Sequence, residues 1–306
     1  MNPLLSIVIA NYNYGLFLEE AIQSILSQGM GDKVEIIICD AASTDNSVEI
    51  IKKYANGLPP NTSYSDYHLE TNDQSLATKI TWWCSEPDGG QSAAFNKGFS
   101  HAHGQFLTWL NADDILLPGV VKSLEKAVAV HPDCEWFVGG VMWLDKELRV
   151  IKCGRGRSFS KLRANMGSLG VWGPSAFFSQ NLLSCAGGVD EGMNYAMDTD
   201  LWMKFYYKCG VAYLPICDYA WGLRIHEKAK TSSHFFADNG AEQRKLDEIH
   251  EEMAQILERY NPPARHSFFR LLLSTNIYGA LMSRFDAFRL LGHCYETYFK
   301  RGTNDI

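Results

Sequence analysis

The sequence predicts an α/β fold with a mostly parallel sheet flanked by helices, and three observations predict it. Three short runs, Leu4 to Ala10, Val34 to Cys39 and Phe106 to Leu110, are apolar on both faces and stop at polar turn residues. Strands buried on both sides of a sheet read this way. Segments with apolar residues at helical spacing separate the runs, and this strand-helix-strand order demands parallel pairing with right-handed crossovers. The third run stops abruptly at Asn111, Asp113 and Asp114, and ligands in such sheets sit beyond the carboxyl ends of the strands.

The elements follow in order. After the first strand, NYNYG is a turn, and Leu18, Ile22, Ile25 and Leu26 recur at helical spacing. The second strand ends at Asp40. AASTD then leads into a helix from about Asn46, with Ser43, Thr44 and Asp45 suited to its cap. Residues 56 to 78 are rich in Pro, Asn, Ser and Asp and read as a surface loop. Lys79 to Cys84 is a third strand, and SEPDGGQSAAFNKGF a turn followed by a helix. The central strand comes next, and a helix follows Pro118. Cys134 to Leu144 and Leu148 to Cys153 read as antiparallel strands around a turn at Asp145. Ser179 to Cys185 is a short helix. Asp198 to Cys209 is a helix with Leu201, Trp202, Phe205 and Tyr206 on one face, and Val211 to Ile216 and Tyr219 to Ile225 are short strands. Leu246, Ile249, Met253, Ile256 and Leu257 keep helical spacing until Asn261-Pro262-Pro263 ends it.

With 306 residues, 46% of them hydrophobic, the chain can build one large domain with an appendage, or two domains. The net charge of −7 argues against a nucleic-acid partner. No apolar run approaches the ~20 residues that span a bilayer. The start, MNPLLSIVIANYN, has no basic region before its apolar run, so it does not read as a signal peptide and a cytoplasmic location is expected. The eight cysteines are scattered without a C-x-x-C pair, which predicts reduced, buried thiols rather than zinc or a disulfide framework.

The acidic strand end carries the first chemical expectation. Adjacent carboxylates repel, and a divalent cation between them and a phosphate relieves the repulsion. The competing explanation is an acidic start to the helix near Pro118.

Four stretches fall at strand ends: SIVIANYN, IIICDAASTDNS, SEPDGGQSAAFNKG and LTWLNADD. Together they resemble the inverting glycosyltransferases of family 2, which have the Rossmann-like GT-A fold. GPSAFFSQNLLSCAGGVDEGMNYAMDTDLWMKF resembles that family's acceptor-side segment, and RIHEKAKTS the loop after it. The resemblance covers about residues 3–232. It implies a GT-A domain over 1–232, with a nucleotide-binding part to about 115 and an acceptor part over 116–232. Residues 233–306 form a C-terminal helical extension without a recognised motif.

The resemblance also implies roles. Tyr12 stacks on the nucleobase, Asp40 accepts from a uracil N–H, and Asp88 lies near base and ribose. Lys97 meets the donor or is an ordinary solvated lysine. Asn111 stands where many relatives have the first aspartate of a DXD motif. It can bond a ribose hydroxyl, which leaves Asp113, with Asp114 as second candidate, for Mg²⁺ or Mn²⁺. His226 is a further metal or phosphate contact, and Lys228 and Lys230 can neutralise diphosphate charge. Inverting transfer needs one general base. The family position is Asp198, with Met197 replacing the usual glutamate, and Asp200 is a first-turn aspartate favoured by the helix dipole. Trp202 is an acceptor-side stacking residue or core. The basic stretch Gly154 to Arg163 covers a phosphate-bearing acceptor or is a solvated loop.

The implied activity moves a sugar, a UDP-sugar by preference, to a hydroxyl of a glycan or lipid-linked acceptor, in surface polysaccharide synthesis. Departures at Cys39, Asn111 and Met197 keep open a non-catalytic carbohydrate-binding or scaffolding protein on a degenerate version of the fold. A sugar nucleotidyltransferase is the third reading. It lacks support because NYNYG stands where a glycine-rich, arginine-containing loop would. In the extension, Phe268, Phe269, Leu271 to Leu273, Ile277 and Tyr278 form an apolar face. It is expected to pack within the protein or in a homodimer, with membrane contact at most peripheral.

Overall fold

The computed structural model describes residues 2–56, 58–62, 80–165, 168–217, 219–230 and 240–260. The apolar face expected at 268–278 and most of the loop expected at 56–78 lie outside them.

The main sheet has seven strands. β1 (Leu5–Asn11), α1 (Gly15–Leu26), β2 (Val34–Asp40), α2 (Ser47–Tyr54), β3 (Ile80–Ser85), α3 (Gln91–Ser100) and β4 (Phe106–Asn111) alternate as expected. β5 (Ile115–Leu116) and α4 (Val120–Val130) follow, then β6 (Trp136–Val138), β7 (Val141–Leu144), β8 (Val150–Gly154) and α5 (Lys161–Asn165). The chain continues through β9 (Ala176–Ser179), α6 (Gln180–Ala186), α7 (Met197–Met203), a π-helical turn (Lys204–Lys208), β10 (Leu214–Pro215) and β11 (Trp221–Arg224). α8 (Gly240–Tyr260) closes the described chain. The main sheet runs β10-β6-β9-β4-β1-β2-β3, and a smaller one β5-β11-β7-β8. β9 is antiparallel to β4 and β6, while the other pairs of the main sheet are parallel.

Both faces of the main sheet are covered. Ile7 and Ile9 of β1 join the core under α1 and α2, and Val8 between them joins the core under α3 and α7. That two-sided burial is why the strands are apolar without alternation. α1 presents Leu18, Ala21, Ile22 and Ile25 to the first core, at the spacing of one helical face.

Three expectations change. Cys134 to Leu144 is not one strand: it breaks at Gly139, whose added Cβ would meet that of Ala220 at 2.4 Å. This close crossing sends β6 to the main sheet and β7 to the smaller one. β9 has no counterpart among the expected strands, because its four residues are too short to show a period. Finally, the cysteines are not all reduced: Cys185 and Cys209 form a disulfide. It joins the last turn of α6 to the end of the π-helical turn, with Cα atoms 6.1 Å apart, and such a spatial pairing leaves no spacing signature in sequence.

Candidate active site

One cleft gathers the strand ends. In the register of β1, Asn11 lies beside Asp40 of β2, and Ala10 beside Asn111 of β4. From β1 the chain passes to β2 on one side, and from β3 it returns across to β4 on the other, and a crevice opens at such a switch point. The cleft has a volume of about 560 Å³, and its walls include Tyr12, Asp88, Asn111, Asp113, Asp198 and Lys230. That volume suits a small-molecule ligand.

The first wall is rigid loop. The Tyr12 side is 59% exposed at the cleft mouth. The loops beneath it brace each other: Asn13 N–H donates to Ser43 Oγ at 2.9 Å, and Thr44 N–H to Asn13 Oδ1 at 2.8 Å. Asp88 lines the cleft and accepts from the Gly90 N–H at 2.8 Å. Gly90 has φ of 104°, a conformation that favours glycine. Two expected donor residues are placed elsewhere. Asp40 is buried, and its carboxylate accepts from Asn11 Nδ2 (2.6 Å), Ser43 Oγ (2.5 Å), Ser43 N–H (3.0 Å) and Ser85 Oγ (2.6 Å). It pins the loops below Tyr12, with its oxygens turned to protein donors. Lys97 pairs with Glu86 and stands 6.0 Å over the Trp82 ring, away from the cleft walls. The ordinary-lysine alternative describes it.

The acidic end separates two neighbouring carboxylates. Asp113 meets His226 Nε2 at 3.0 Å through Oδ2. Phe17 and Tyr14 pack on the His226 ring, with centroids 4.5 and 6.0 Å away. Asp114 is buried and accepts from Arg224 N–H (2.8 Å), Trp221 Nε1 (3.0 Å) and Asn111 Nδ2 (2.7 Å). Burial, and next the Asp113 charge, push its carboxyl well above the usual range, against the pull of those donors. The second metal candidate is thus a tie between β4 and β11. No group of three or more His, Cys, Asp or Glu side chains suited to a metal occurs among the described residues. Asp113 and His226 give two donors of the oxygen and nitrogen types that suit a divalent ion completed by ligand phosphate and water.

The opposite wall is α7 and the turn at Gly173–Ser175. Asp198 accepts from Thr199 N–H at 2.6 Å and faces Gly173, where an added Cβ would lie 3.6 Å from its Oδ2. Burial pushes its carboxyl up, and the Thr199 bonds oppose this. Asp200 points the other way. Fully buried, it pairs with Lys204 at 2.9 Å and Arg259 at 2.7 Å, and accepts from Tyr260 OH at 3.0 Å. It therefore ties α7 to α8, a role beyond a dipole contact. Trp202 is corrected to core: it is 2% exposed and stacked on Trp109 at 5.3 Å and Trp136 at 5.6 Å. No face remains for a sugar.

The family model described as Glycosyl transferase family 2 matches residues 6–77 and 84–179, more than half of the chain. The chain belongs to this family. An uncharacterized glycosyltransferase of Nostoc sp., alr2836, is 33% identical over 138 residues, covering 45% of this chain and 35% of that protein. The chondroitin synthase of Pasteurella multocida is 32% identical over 155 residues, 46% of this chain and 14% of the synthase. The chain thus spans well under half the length of these curated relatives. Among solved structures, residues 1–349 of Staphylococcus aureus TarS, in complex with UDP-GlcNAc, share the fold with a TM-score of 0.56 at 17% identity, covering 85% of this chain and 72% of that one.

Within this family 2 cleft, two contributors lay outside the sequence expectations. Gln91, first in α3, donates to Asn111 Oδ1 at 2.9 Å and accepts from Lys230 Nζ at 3.2 Å. It links the DXD-like corner to the loop of Lys230. Tyr14 donates to the Lys228 carbonyl at 3.0 Å and so ties that loop to the turn after β1. Gln91 stands inside a stretch already singled out. Only its partners, 20 and 139 residues away, identify it.

Proposed function

We propose that the chain transfers a sugar from a nucleotide-diphosphate sugar, a UDP-sugar by preference, to a hydroxyl of a glycan or lipid-linked acceptor, with inversion at the anomeric carbon. One observation carries the reading: Asp113 and Asp198 stand on the walls of one cleft whose mouth presents the exposed Tyr12 ring. A base stacks on Tyr12, and the Asn111 amide and Asp88 lie where they can meet ribose. Asp113 and His226 would hold Mg²⁺ or Mn²⁺, which supplies positive charge against the diphosphate. Lys230, held by Gln91 and 5.4 Å over the Tyr195 ring, adds a cation on the same wall.

Asp198 removes the acceptor hydroxyl proton as that oxygen attacks the anomeric carbon. The bond from that carbon to the diphosphate oxygen breaks, and the nucleotide diphosphate leaves on the opposite face. A carboxyl raised by burial holds a proton more strongly than a solvated one, which suits a base. The family membership and the sequence likeness to a chondroitin synthase support a role in surface polysaccharide synthesis. No helix among the described residues is long and apolar enough to cross a membrane. We place the reaction in the cytoplasm, with membrane contact at most peripheral. Incubating the protein with UDP-glucose, UDP-N-acetylglucosamine, GDP-mannose and dTDP-glucose plus Mn²⁺ tests the reading. Release of nucleotide diphosphate from one donor is expected. Release from none would favour a carbohydrate-binding module.

A further inference from the structure

We propose that α8 positions the general base, with Glu252 as the residue that fixes the backbone entering α7. This rests on the reading of Asp198 above. α7 starts with a problem of its own: its cap position is Ala196, which has no side-chain acceptor for the unpaired N–H groups of a helix start. Glu252, more than fifty residues away, holds the backbone just ahead of that turn. Its carboxylate accepts from the N–H groups of Asn194 (2.7 Å), Tyr195 (2.8 Å) and Ala196 (2.7 Å). These bonds are charge-assisted, and the anion sits at the positive end of the helix dipole.

A second hold lies two turns along α8. Arg259 pairs with Asp200 at 2.7 Å and with Asp190 at 2.8 Å, and Tyr260 OH reaches Asp200 at 3.0 Å. Between the holds, Ile256 is fully buried, and Met253 and Leu257 pack on the same core. α7 is therefore gripped before and after Asp198. The gripped backbone is also cleft wall, since Asn194 and Tyr195 line it beside Asp198. A base must stand within hydrogen-bond reach of the proton it removes, and a displacement of about 1 Å can cost roughly 10²-fold in rate. Glu252 touches neither donor nor acceptor in this scheme. It sets where Asp198 stands, so its loss lowers kcat and spares donor KM.

The test uses full-length E252A and E252Q with whichever of the four donors turns over. Rates are counted per nucleotide-binding site, titrated with that donor's nucleotide diphosphate and Mn²⁺, so that unfolded protein does not enter kcat. The expected result is a fall in kcat of about 10- to 100-fold for E252A, a smaller fall for E252Q, which keeps one acceptor oxygen, and donor KM within about twofold of the unaltered protein in both. If E252A does not fold, E252Q decides by the same split. Unchanged kcat per site, or a rise in donor KM matching the fall in kcat, overturns the proposal. D198N serves as control. An inactive D198N beside a normal E252A removes only the positioning role, whereas a fully active D198N removes the base assignment and this proposal with it.

Discussion

Asp113→Asn and Asp114→Asn change neighbouring carboxylates by one atom each, and the structure predicts opposite consequences. In Asp114→Asn the new amide has one acceptor oxygen where three donors converge. If that oxygen keeps Trp221 Nε1 and Asn111 Nδ2, the Arg224 N–H loses its acceptor; if it keeps Arg224, the other two do. At least one buried donor is left unpaired, at a cost of about 1–3 kcal/mol. At neutral pH the removal of a buried carboxyl held well above the usual range offsets part of this, so with roughly 2–4 °C per kcal/mol for a domain of this size Tm should fall by at most about 12 °C. Among the described residues, the Asp113 side chain hydrogen-bonds only His226, and an amide oxygen can keep that contact. Its substitution should cost under about 1 kcal/mol, while divalent-dependent nucleotide binding is nearly abolished. The assay is a thermal scan of each variant, with UDP affinity measured across a Mn²⁺ titration. Unchanged, Mn²⁺-dependent UDP affinity in Asp113→Asn, together with its loss in a thermally normal Asp114→Asn, would refute the division of roles.

Other predictions separate site from core. Tyr12→Ala should raise donor KM by roughly 5- to 150-fold, the equivalent of about 1–3 kcal/mol of base stacking, and leave Tm unchanged because the ring is exposed; an unaltered KM argues against stacking there. Trp202→Ala should cost about 3–5 kcal/mol of stability, and intact stability with a selective rise in acceptor KM would restore it to the site. Burial raises the Asp198 carboxyl, so its ionised form opposes folding: that group's contribution is fully present below about pH 4 and is lost as pH rises through the raised value. Asp198→Asn should therefore raise Tm at neutral pH, with the gain shrinking toward pH 4. An equal gain at both pH values would contradict the shift.

The parts of this molecule that sequence reveals are those set by local periodicity and by position along a strand. β1, β2 and β4 announce themselves because both their faces are buried, and Tyr12, Asn111 and Asp113 because polar residues end those runs. α8 was legible as a helical stripe, and the stop expected at Asn261-Pro262-Pro263 lies outside the described residues. What stayed hidden depends on partners far along the chain. Asp40 and Asp113 are both aspartates at strand ends, yet only the side chains around them decide that one pins loops and the other faces the cleft. Trp202 reads as a platform or as core until Trp109 and Trp136 are seen against it. Glu252 is one of several acidic residues on a polar helix, and nothing near it in sequence marks the three N–H groups it receives. The Cys185–Cys209 bond is hidden for the same reason.

We assign Asp198 as the base of the transfer. Sugar transfer by Asp198→Asn, measured at saturating donor and acceptor beside Asp200→Asn and the unaltered protein, decides it. The amide keeps the shape of the side chain and removes its capacity to accept a proton, so the rate should fall by about 10²–10⁴ while donor affinity is retained. Turnover at the normal rate by Asp198→Asn, with Asp200→Asn inactive, would contradict the assignment.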